Sequence, residues 1–325
     1  MMLNKHANRL CLCSKQDMSL VIIKNYIDNS TDSLMRKLKD LIKKSFLAFL
    51  YKQKISLGRY FGRRIAEHQK VFESEIIFNK KKIVRCPNCQ LTWLHPMPSS
   101  QDLTNYYDKA FWDNKNAKFV ISAVNPNEKN RAYYQYEFMA NYINFPQQIN
   151  DVLEFGAGHA GISYFINNIH PKISISVVEP DDAFCNAHSR LGVCKEVLKE
   201  LSEVKQTYDL VTSSHSLEHV SNIIDTMEAM AKIVRPNGYL FLEVPNANEI
   251  YFKYYKNDKP HTYFFNMETI CNIAASFQFK ILDIGEFGPN KKEFMDNNSF
   301  TIEELRNNVR KENGGNLRCL LQKKV

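Results

Sequence analysis

The chain has 325 residues and a mass of 37.9 kDa, a length that suggests two domains or one large domain with an extension. Hydrophobic residues make up 44% of the sequence, which is enough for a buried core and excludes a mainly disordered chain. Eight cysteines are too dilute for a disulfide scaffold, and the longest strongly apolar run, residues 46–51, is far shorter than the about 20 residues that cross a bilayer. No secretory signal opens the sequence, so we expect a cytoplasmic location.

The positive charge is concentrated towards the N-terminus. Residues 1–85 carry 19 lysines and arginines against 7 acidic residues, whereas residues 86–325 carry 24 against 28. Within this basic arm, residues 33–51 place apolar side chains on one helical face and basic side chains mainly on the other. Such a helix can bind an anionic membrane interface, or it can pack against its own protein. The sequence leaves both interpretations open.

A Cys-x-x-Cys turn follows at Cys86 and Cys89, with prolines after it. Two thiolates at this spacing supply half of a tetrahedral zinc site, and Cys11 and Cys13 are the candidates for a second pair, although only one residue separates them. A redox pair would normally begin a helix, so the prolines favour a knuckle or loop. A bound zinc and a degenerate knuckle without metal both remain open.

Strand and helix patterns alternate from residue 151 onward, after a helical and aromatic stretch over residues 101–148 with a helix at about 127–142. This alternation predicts a mostly parallel sheet covered on both faces. The predicted strands cover residues 152–155, 173–179, 209–213, 239–244, 279–285 and 317–322, and the predicted helices cover residues 160–168, 182–191, 221–234 and 267–277. In such a doubly wound sheet the ligand lies at the carboxyl ends of the strands.

A glycine-rich loop follows the first of these strands. Gly156 and Gly158 allow the backbone to turn tightly and to approach a ligand, but with Gly161 they also match the nicotinamide-binding pattern G-x-G-x-x-G. Glu154, just before the loop, suits a ligand with a cationic group better than a pyrophosphate. Glu179 ends the second strand, at the spacing from which an acidic residue reaches ribose hydroxyls.

Three further motifs follow in order: Leu-Glu-His-Val at 217–220, Pro-Asn-Gly at 236–238 and Glu-Val-Pro-Asn at 243–246. With Glu-x-Gly-x-Gly at 154–158, these motifs resemble those of the class I S-adenosylmethionine-dependent methyltransferases, particularly the broad group near the ubiquinone-biosynthesis O-methyltransferases. The resemblance covers about residues 125–285. It implies an α/β fold with a doubly wound, mostly parallel, seven-stranded Rossmann-like sheet and a basic helical, cysteine-containing N-terminal extension. The cysteine segment resembles one found ahead of such domains in bacterial enzymes of sugar, surface-polysaccharide and secondary-metabolite pathways.

The resemblance implies three parts: a basic helical arm over 1–75, a cysteine segment and linker over 76–125, and an S-adenosylmethionine-binding methyltransferase domain over 126–325. It implies S-adenosylmethionine as the cofactor, with zinc as a further, structural candidate. Within it, Arg131 holds the cofactor's carboxylate, although an exposed helical arginine is equally consistent. The family's acidic contact to adenine stays unassigned, since only Glu196 lies near the expected position. The cofactor-binding residues that it implies are Arg131, Glu154, Gly156, Ala157, Gly158, Glu179, Ser213 and Ser214.

Methyl transfer to an oxygen needs a base with a pKa near neutrality, which favours histidine. The candidates are His215, His219 and His261, and each is also consistent with a structural or substrate-contact role. We expect a small-molecule acceptor, a hydroxyl of a sugar, glycolipid or related metabolite, with peripheral contact to an anionic membrane through the basic arm. The alternatives are a non-catalytic binding or scaffold protein, which the intact glycine loop disfavours, and a nucleic-acid methyltransferase, for which no RNA-binding module or Asn/Asp-Pro-Pro-Tyr/Phe tetrapeptide is present.

Overall fold

The computed structural model describes residues 72–74, 81–106, 129–254, 261–296, 299–305 and 309–325. The amphipathic helix expected over residues 33–51 lies outside these residues, as do Cys11 and Cys13. The strands are β1 (Phe72–Ser74), β2 (Lys81–Arg85), β3 (Thr92–His95), β4 (Asp151–Phe155), β5 (Ser174–Val178), β6 (Glu196–Leu198), β7 (Tyr208–Ser214), β8 (Val234–Pro245), β9 (Tyr263–Phe264), β10 (Phe279–Phe287) and β11 (Asn316–Lys323). The α-helices are α1 (Ser100–Tyr106), α2 (Arg131–Ala140), α3 (Gly161–Ile169), α4 (Asp182–Leu191), α5 (Ile223–Ile233), α6 (Glu249–Tyr254), α7 (Met267–Ser276), α8 (Lys291–Met295) and α9 (Ile302–Leu305), and single 3-10 turns cover Leu201–Glu203 and Leu217–His219.

The larger sheet has seven strands in the order β10-β11-β8-β7-β4-β5-β6. Strands β6, β5, β4, β7 and β8 are parallel to one another, and β11 is antiparallel to both β8 and β10. Helices alternate with the parallel strands along the chain, as crossover connections between parallel strands require. The predicted doubly wound, mostly parallel seven-stranded sheet is therefore confirmed.

Burial on both faces of the sheet explains why the central strands have apolar residues at consecutive positions. On β4, Val152 and Leu153 are both fully buried although they point to opposite faces, and they belong to different core clusters. The helices that cover these faces begin at capping side chains: Asp181 accepts from the backbone N–H groups of Ala183 and Phe184 at the start of α4, and Asn222 caps α5 in the same way.

Two elements differ from the sequence prediction. Strand β8 begins at Val234, directly after α5 and five residues before the predicted start, because Val234 already pairs with Tyr208 of β7. Residues 235–238, which include the Pro-Asn-Gly stretch, form a bulge before the pairing resumes between Tyr239 and Leu210. A side chain at Gly238 would place its Cβ 2.9 Å from the carbonyl oxygens of Arg235 and Asp209, so only glycine allows this approach. Strand β6 has three half-buried residues at the sheet edge, too few for a hydrophobic period to identify it.

A second, four-stranded sheet joins the cysteine segment to the C-terminal half of the chain. Its order is β1-β2-β3-β9, and Trp93 of β3 pairs with Tyr263 of β9 in antiparallel register. Cys86, Trp93 and Tyr263 belong to the same core cluster as the buried residues of β7 and β8. The division of the chain at residues 75 and 125 remains a prediction. Val84, Cys86, Cys89, Leu91 and Trp93 share a core with the larger sheet. None of the helices in the described residues is long and apolar enough to cross a membrane.

Candidate functional site

The carboxyl ends of β4, β5, β6 and β7 surround a cavity of about 790 Å³. This is the position at which doubly wound sheets bind their ligands. Its wall comes from the glycine loop after β4, the end of β5, the turn after β6 and the segment after β7. Among its lining residues are Phe155, Gly156, Gly158, Glu179, Asp181, Glu200, Leu201, Ser202, His215, Ser216, His219 and His261.

The glycine loop has the conformation that its sequence predicts. Gly156 and Gly158 have positive φ angles of 62° and 48°. A Cβ on Gly156 would lie 2.3 Å from the side chain of Ser216, which crosses the loop and donates a hydrogen bond to the Gly156 carbonyl at 2.8 Å. Any larger residue at position 156 would therefore displace the segment that follows β7.

Glu179 holds the glycine loop from the neighbouring strand. One carboxylate oxygen accepts from the Gly158 backbone N–H at 2.6 Å, and the other accepts from the Asp181 N–H at 2.9 Å. Burial raises the pKa of Glu179, and these two backbone hydrogen bonds partly offset the effect. Each carboxylate oxygen can accept more than one hydrogen bond, so Glu179 retains capacity for hydroxyl donors from the cavity that it lines.

Glu154 does not face a cationic ligand group, contrary to our expectation. Its side chain points to the opposite face of β4 from the side chain of Phe155. Glu154 is 4% exposed there, and it accepts a hydrogen bond from the Ser163 N–H, in the first turn of α3, at 2.9 Å. Helix N-termini favour negative charge, but burial outweighs the Ser163 bonds and raises the pKa of Glu154 to about 7. Glu154 therefore holds α3 to the sheet from beneath the loop.

Other expected cofactor contacts lie beside the cavity. Ser213 is fully buried, and the Ser214 hydroxyl accepts from the Gln135 side chain at 2.9 Å. Ala157 is also buried, and these three residues are absent from the cavity wall, whereas Ser216 lines it. The unassigned Glu196 accepts hydrogen bonds from the Gln206 and Tyr208 side chains.

Lining residues 199–202, beyond the end of β6, were not identified from the sequence. The position of a residue just after a parallel strand could have identified them, because such residues lie at the edge of the sheet where ligands bind. The strand itself is too short to be recognised, so that rule could not be applied to them.

Arg131 belongs to a buried network of charges. Glu243, with no exposed side-chain surface, accepts from Arg131 Nε at 2.7 Å and from Arg318 Nε at 2.6 Å. Burial alone would raise the pKa of Glu243, but the two arginine charges and His215 hold it well below its usual range. Arg131 also contacts His215 Nε2. The expected carboxylate-binding role of Arg131 thus competes with its pairing to Glu243.

His215 sits between two carboxylates just after β7, with a left-handed φ of 53° that few non-glycine residues adopt. Its Nδ1 lies 3.3 Å from Glu218 and its Nε2 lies 3.6 Å from Glu243. Burial and the Arg131 charge lower the pKa of His215, but hydrogen bonds to Glu218 and Glu243 outweigh them, so the net pKa is raised. The nearby imidazoles in turn overcome the effect of burial and hold the pKa of Glu218 at about 2.

The other two candidate histidines lie against each other. The rings of His219 and His261 meet edge to face with centroids 4.9 Å apart, and the Tyr251 hydroxyl lies 3.0 Å from His261 Nδ1. Together with Glu218, these histidines are the only three histidine, cysteine or acidic side chains within the described residues that lie close enough together to share a metal ion. The fold thus brings all three candidate histidines to one end of the cavity.

A second cavity, of about 270 Å³, adjoins the first. His215 and His261 line both cavities. The second cavity is enclosed by the end of β8, the starts of α6 and α8, and the start of β11. A ligand in the first cavity and a ligand in the second would therefore meet at these two histidines.

The comparisons with known proteins agree with this architecture. A family model described as a methyltransferase domain matches residues 115–284, just over half of the chain. The chain belongs to the class I S-adenosylmethionine-dependent methyltransferase family.

Individual relatives are distant or matched over short segments. The chain is 46% identical over 43 residues to a ubiquinone biosynthesis O-methyltransferase of Photobacterium profundum, a match that covers 13% of this chain and 18% of that protein. An S-adenosylmethionine-dependent methyltransferase structure from Clostridium acetobutylicum is 12% identical, with a TM-score of 0.43, over 65% of this chain and 99% of that chain. The complex of the Haloferax volcanii Trm112 methyltransferase activator with a methyltransferase gives 11% identity and a TM-score of 0.46 over 60% of this chain and 90% of that chain.

The residues around the larger cavity fit S-adenosylmethionine, the family's cofactor. A loop that excludes a Cβ at Gly156 allows close backbone approach, and the buried carboxylate of Glu179 can accept ribose hydroxyls. The side chain of Glu200, beyond β6, lines the same wall and is an acidic candidate for the adenine contact.

The cysteine turn offers only part of a metal site. Cys86 and Cys89 are buried in the turn between β2 and β3, where the Cys86 N–H donates to the Leu91 carbonyl at 2.8 Å. The Asn272 side chain of α7 donates to the Cys89 carbonyl at 3.1 Å. In the described part of the chain, no third ligand joins these two cysteines. The turn therefore docks the hairpin on α7, and a zinc-bound form would need ligands from elsewhere.

Proposed function

We propose that the chain is an enzyme that transfers a methyl group from S-adenosylmethionine to a hydroxyl of a small molecule, namely a sugar, a glycolipid or a related metabolite. The observation that carries this proposal is the meeting of two cavities at His215 and His261. One cavity has the glycine loop and Glu179 of a cofactor site, and the other offers room for an acceptor. The glycolipid alternative also links the acceptor to the basic arm.

Bound S-adenosylmethionine supplies an electrophilic methyl group. The chain's own contribution is then to align the acceptor and to remove its proton. Glu179 binds the ribose hydroxyls, and His215 and Ser216, which line the cavity after β7, lie on the methionine side.

His261 is the strongest candidate for the base. His215 has its Nε2 in contact with Arg131 and its Nδ1 beside Glu218, so both ring nitrogens have charged neighbours. Arginine can only donate, so a neutral His215 ring carries its hydrogen on Nδ1. His261 is oriented at Nδ1 by the Tyr251 hydroxyl and lines both cavities, so that Nε2 takes the acceptor's proton in this proposal.

Calorimetric titration with S-adenosylhomocysteine tests the cofactor assignment, and transfer of labelled methyl groups to a panel of acceptors tests the reaction. His261→Gln should lower turnover by about 100-fold or more and change S-adenosylhomocysteine affinity much less. His170→Gln is the matched control, because His170 contacts Tyr136 and lines neither cavity.

The alternatives give different results in the same experiments. Tight NAD binding without a response to S-adenosylhomocysteine would overturn the cofactor assignment. Cofactor binding without transfer to any acceptor would favour a non-catalytic binding protein, and transfer to RNA or DNA would favour a nucleic-acid methyltransferase.

The basic arm is proposed to hold the enzyme at the inner face of an anionic membrane. Its support is the charge of residues 1–85 and the amphipathic pattern over residues 33–51. Each basic residue near such a surface contributes about 1 kcal/mol, and salt screens the attraction. Vesicle co-sedimentation should require anionic lipid, weaken as salt rises and disappear when residues 1–70 are deleted. A full-length protein that ignores anionic vesicles at low salt would indicate a structural arm.

Zinc at Cys86 and Cys89, with Cys11 and Cys13 as partners, is proposed on sequence grounds alone. Metal analysis after anaerobic purification should find about one zinc per chain, and a chelator should first loosen the N-terminal region. Protein without zinc would support the degenerate knuckle.

A further inference from the structure

The smaller cavity contains a buried polar group whose hydrogen-bonding capacity is only partly used. Asn246, after the end of β8, is 2% exposed and lines this cavity. Its Nδ2 donates to Glu286 Oε1 and to the Gly314 carbonyl, each at 2.9 Å, so both amide hydrogens are used. Its Oδ1 has no hydrogen-bond partner among the described residues. A buried carbonyl oxygen without a donor is costly, so a ligand donor at this point would stabilise the site.

Asn248 presents the complementary group in the same cavity wall. Its Oδ1 accepts from the Tyr251 backbone N–H at 3.0 Å at the start of α6. Its Nδ2 is shielded from solvent and has no acceptor within the described part of the chain. An acceptor at position 246 and a donor at position 248 therefore line one small cavity beside the histidines.

This pair selects the chemistry of the ligand group. A sugar ring carries several hydroxyls, each of which can donate and accept, so such a ring can offer a donor to Asn246 Oδ1 and an acceptor to Asn248 Nδ2. A carboxylate has no hydrogen for Asn246, an ammonium group has no lone pair for Asn248, and a plain aromatic edge satisfies neither. The half-exposed ring of Phe294 also lines the cavity and offers an apolar face to the C–H face of a sugar ring.

We infer that the cavity of about 270 Å³ is the acceptor subsite, and that it binds one glycosyl unit through Asn246 Oδ1 and Asn248 Nδ2. This inference rests on the proposed methyltransferase function and narrows its acceptor class. The volume lies just below the roughly 300–1,000 Å³ of drug-sized ligand sites, which suits a single ring better than an extended chain. A hydroxyl of the bound ring would lie near His215 and His261, which line the same cavity.

The test uses the full-length protein loaded with S-adenosylhomocysteine. The probes are methyl glycosides of common hexoses and deoxyhexoses, with catechol and N-acetylglycinamide as non-sugar probes, and saturation-transfer NMR measures their binding. At least one glycoside should bind, and Asn248→Ser should weaken it by about fivefold to tenfold, because serine keeps the helix cap but loses the amide donor. Asn266→Ser is the matched control, since Asn266 caps α7 through the Thr269 N–H and lines neither cavity.

Each result is informative. If catechol or N-acetylglycinamide binds and no glycoside does, the glycosyl assignment is wrong. If a glycoside binds equally well to the Asn248→Ser protein, the Asn248 amide does not contact the acceptor, and the inference fails. Failure of S-adenosylhomocysteine to bind at all would instead overturn the proposed function, so the two failures are distinguishable.

Discussion

The two cavities that meet at His215 and His261 are built in different ways. The larger one depends on backbone groups of a single glycine loop, held by Glu179 on the next strand. The smaller one and the charged network beside it depend on side chains from α2, β8, β11 and the segments after β7 and β8. The glycine loop and Glu179 are thus close in sequence, although distant segments complete the wall of the larger cavity, whereas the smaller cavity consists only of segments that are brought together by packing.

One buried carboxylate beside each cavity shows how the neighbouring groups set the ionisation state. Glu154, beneath the glycine loop, meets backbone N–H groups, and burial raises its pKa to about 7. Glu218, on the acceptor side, is equally buried, but the surrounding imidazoles hold its pKa at about 2. Burial is the same in both cases, so the charge of the neighbours decides the ionisation state.

The largest effect is expected where the acceptor side carries its most deeply buried ion pairs. Glu243→Gln leaves Arg318, which is 1% exposed, without its carboxylate, and should lower the free energy of unfolding by about 3–5 kcal/mol in urea titrations. Asp283→Asn is the control, since its partner Arg310 is half exposed and such pairs contribute about 1 kcal/mol or less. An equal loss of unfolding free energy in the two variants would mean that the buried Glu243–Arg318 pair contributes no more to stability than the exposed Asp283–Arg310 pair.

The sequence was most informative where the structure is local. Short segments with consecutive apolar residues, such as Val152 and Leu153, identified the central strands, because burial on both faces removes the alternation with polar residues. The same logic failed for β6, which is a short edge strand, and for the start of β8, where a bulge that contains the Pro-Asn-Gly stretch interrupts the pairing with β7.

The candidate site divides in the same way. Gly156, Gly158, Glu179 and the three candidate histidines all line the larger cavity, and their roles in binding and catalysis remain predictions. The pairing of Arg131 with Glu243, 112 residues away, has no local signal, and neither do the partly satisfied amides of Asn246 and Asn248. Such contacts follow from the packing of the whole sheet.

The raised pKa of Glu154 predicts a pH dependence of stability. Its folded pKa of about 7 exceeds the ordinary value of 4.5, so its contribution to stability is fully present below about pH 4.5 and is lost as the pH rises through 7. Glu154→Gln cannot ionise, so its stability relative to the wild type should rise by about 3 kcal/mol between pH 4 and pH 8. Urea unfolding at several pH values measures this difference. A constant difference across that range would mean that folding does not shift the pKa of Glu154.

Glu179→Ala tests the cofactor side. The change removes the acceptor for the Gly158 and Asp181 N–H groups as well as the expected ribose contacts. Charge-assisted hydrogen bonds of this kind are worth about 1.5–3 kcal/mol each, so S-adenosylhomocysteine affinity should fall roughly a hundredfold by calorimetry. Glu196→Ala, on the next strand and outside the cavity wall, should leave the affinity nearly unchanged. An unaltered affinity in Glu179→Ala would place the ribose elsewhere.

The smallest effect concerns a single hydroxyl that joins two segments of the acceptor side. Thr262 is fully buried, and its Oγ1 donates to the carbonyls of Glu218 at 2.9 Å and Val220 at 2.6 Å. The Thr262 carbonyl accepts a hydrogen bond from the Leu94 N–H of β3. Thr262 therefore also joins the hairpin of β2 and β3 to the segment that contains Glu218. Thr262→Val should lower the free energy of unfolding by about 1 kcal/mol, and Thr262→Ser should restore most of it, because serine keeps the hydroxyl.

Because the two cavities are built from different contacts, we expect Thr262→Val to weaken acceptor binding and to leave cofactor binding nearly unchanged. Glu179 and the glycine loop are held to each other by the Gly158 N–H, away from the hydrogen bonds of Thr262, so S-adenosylhomocysteine affinity should stay within about twofold of the wild type. Binding of an acceptor glycoside, measured by saturation transfer, should weaken. Thr262 follows His261 directly and holds the main chain at Glu218 and Val220, so its hydroxyl fixes the position of His261 relative to Glu218. A cofactor affinity that falls as far as acceptor binding would mean that the two cavities are mechanically one site.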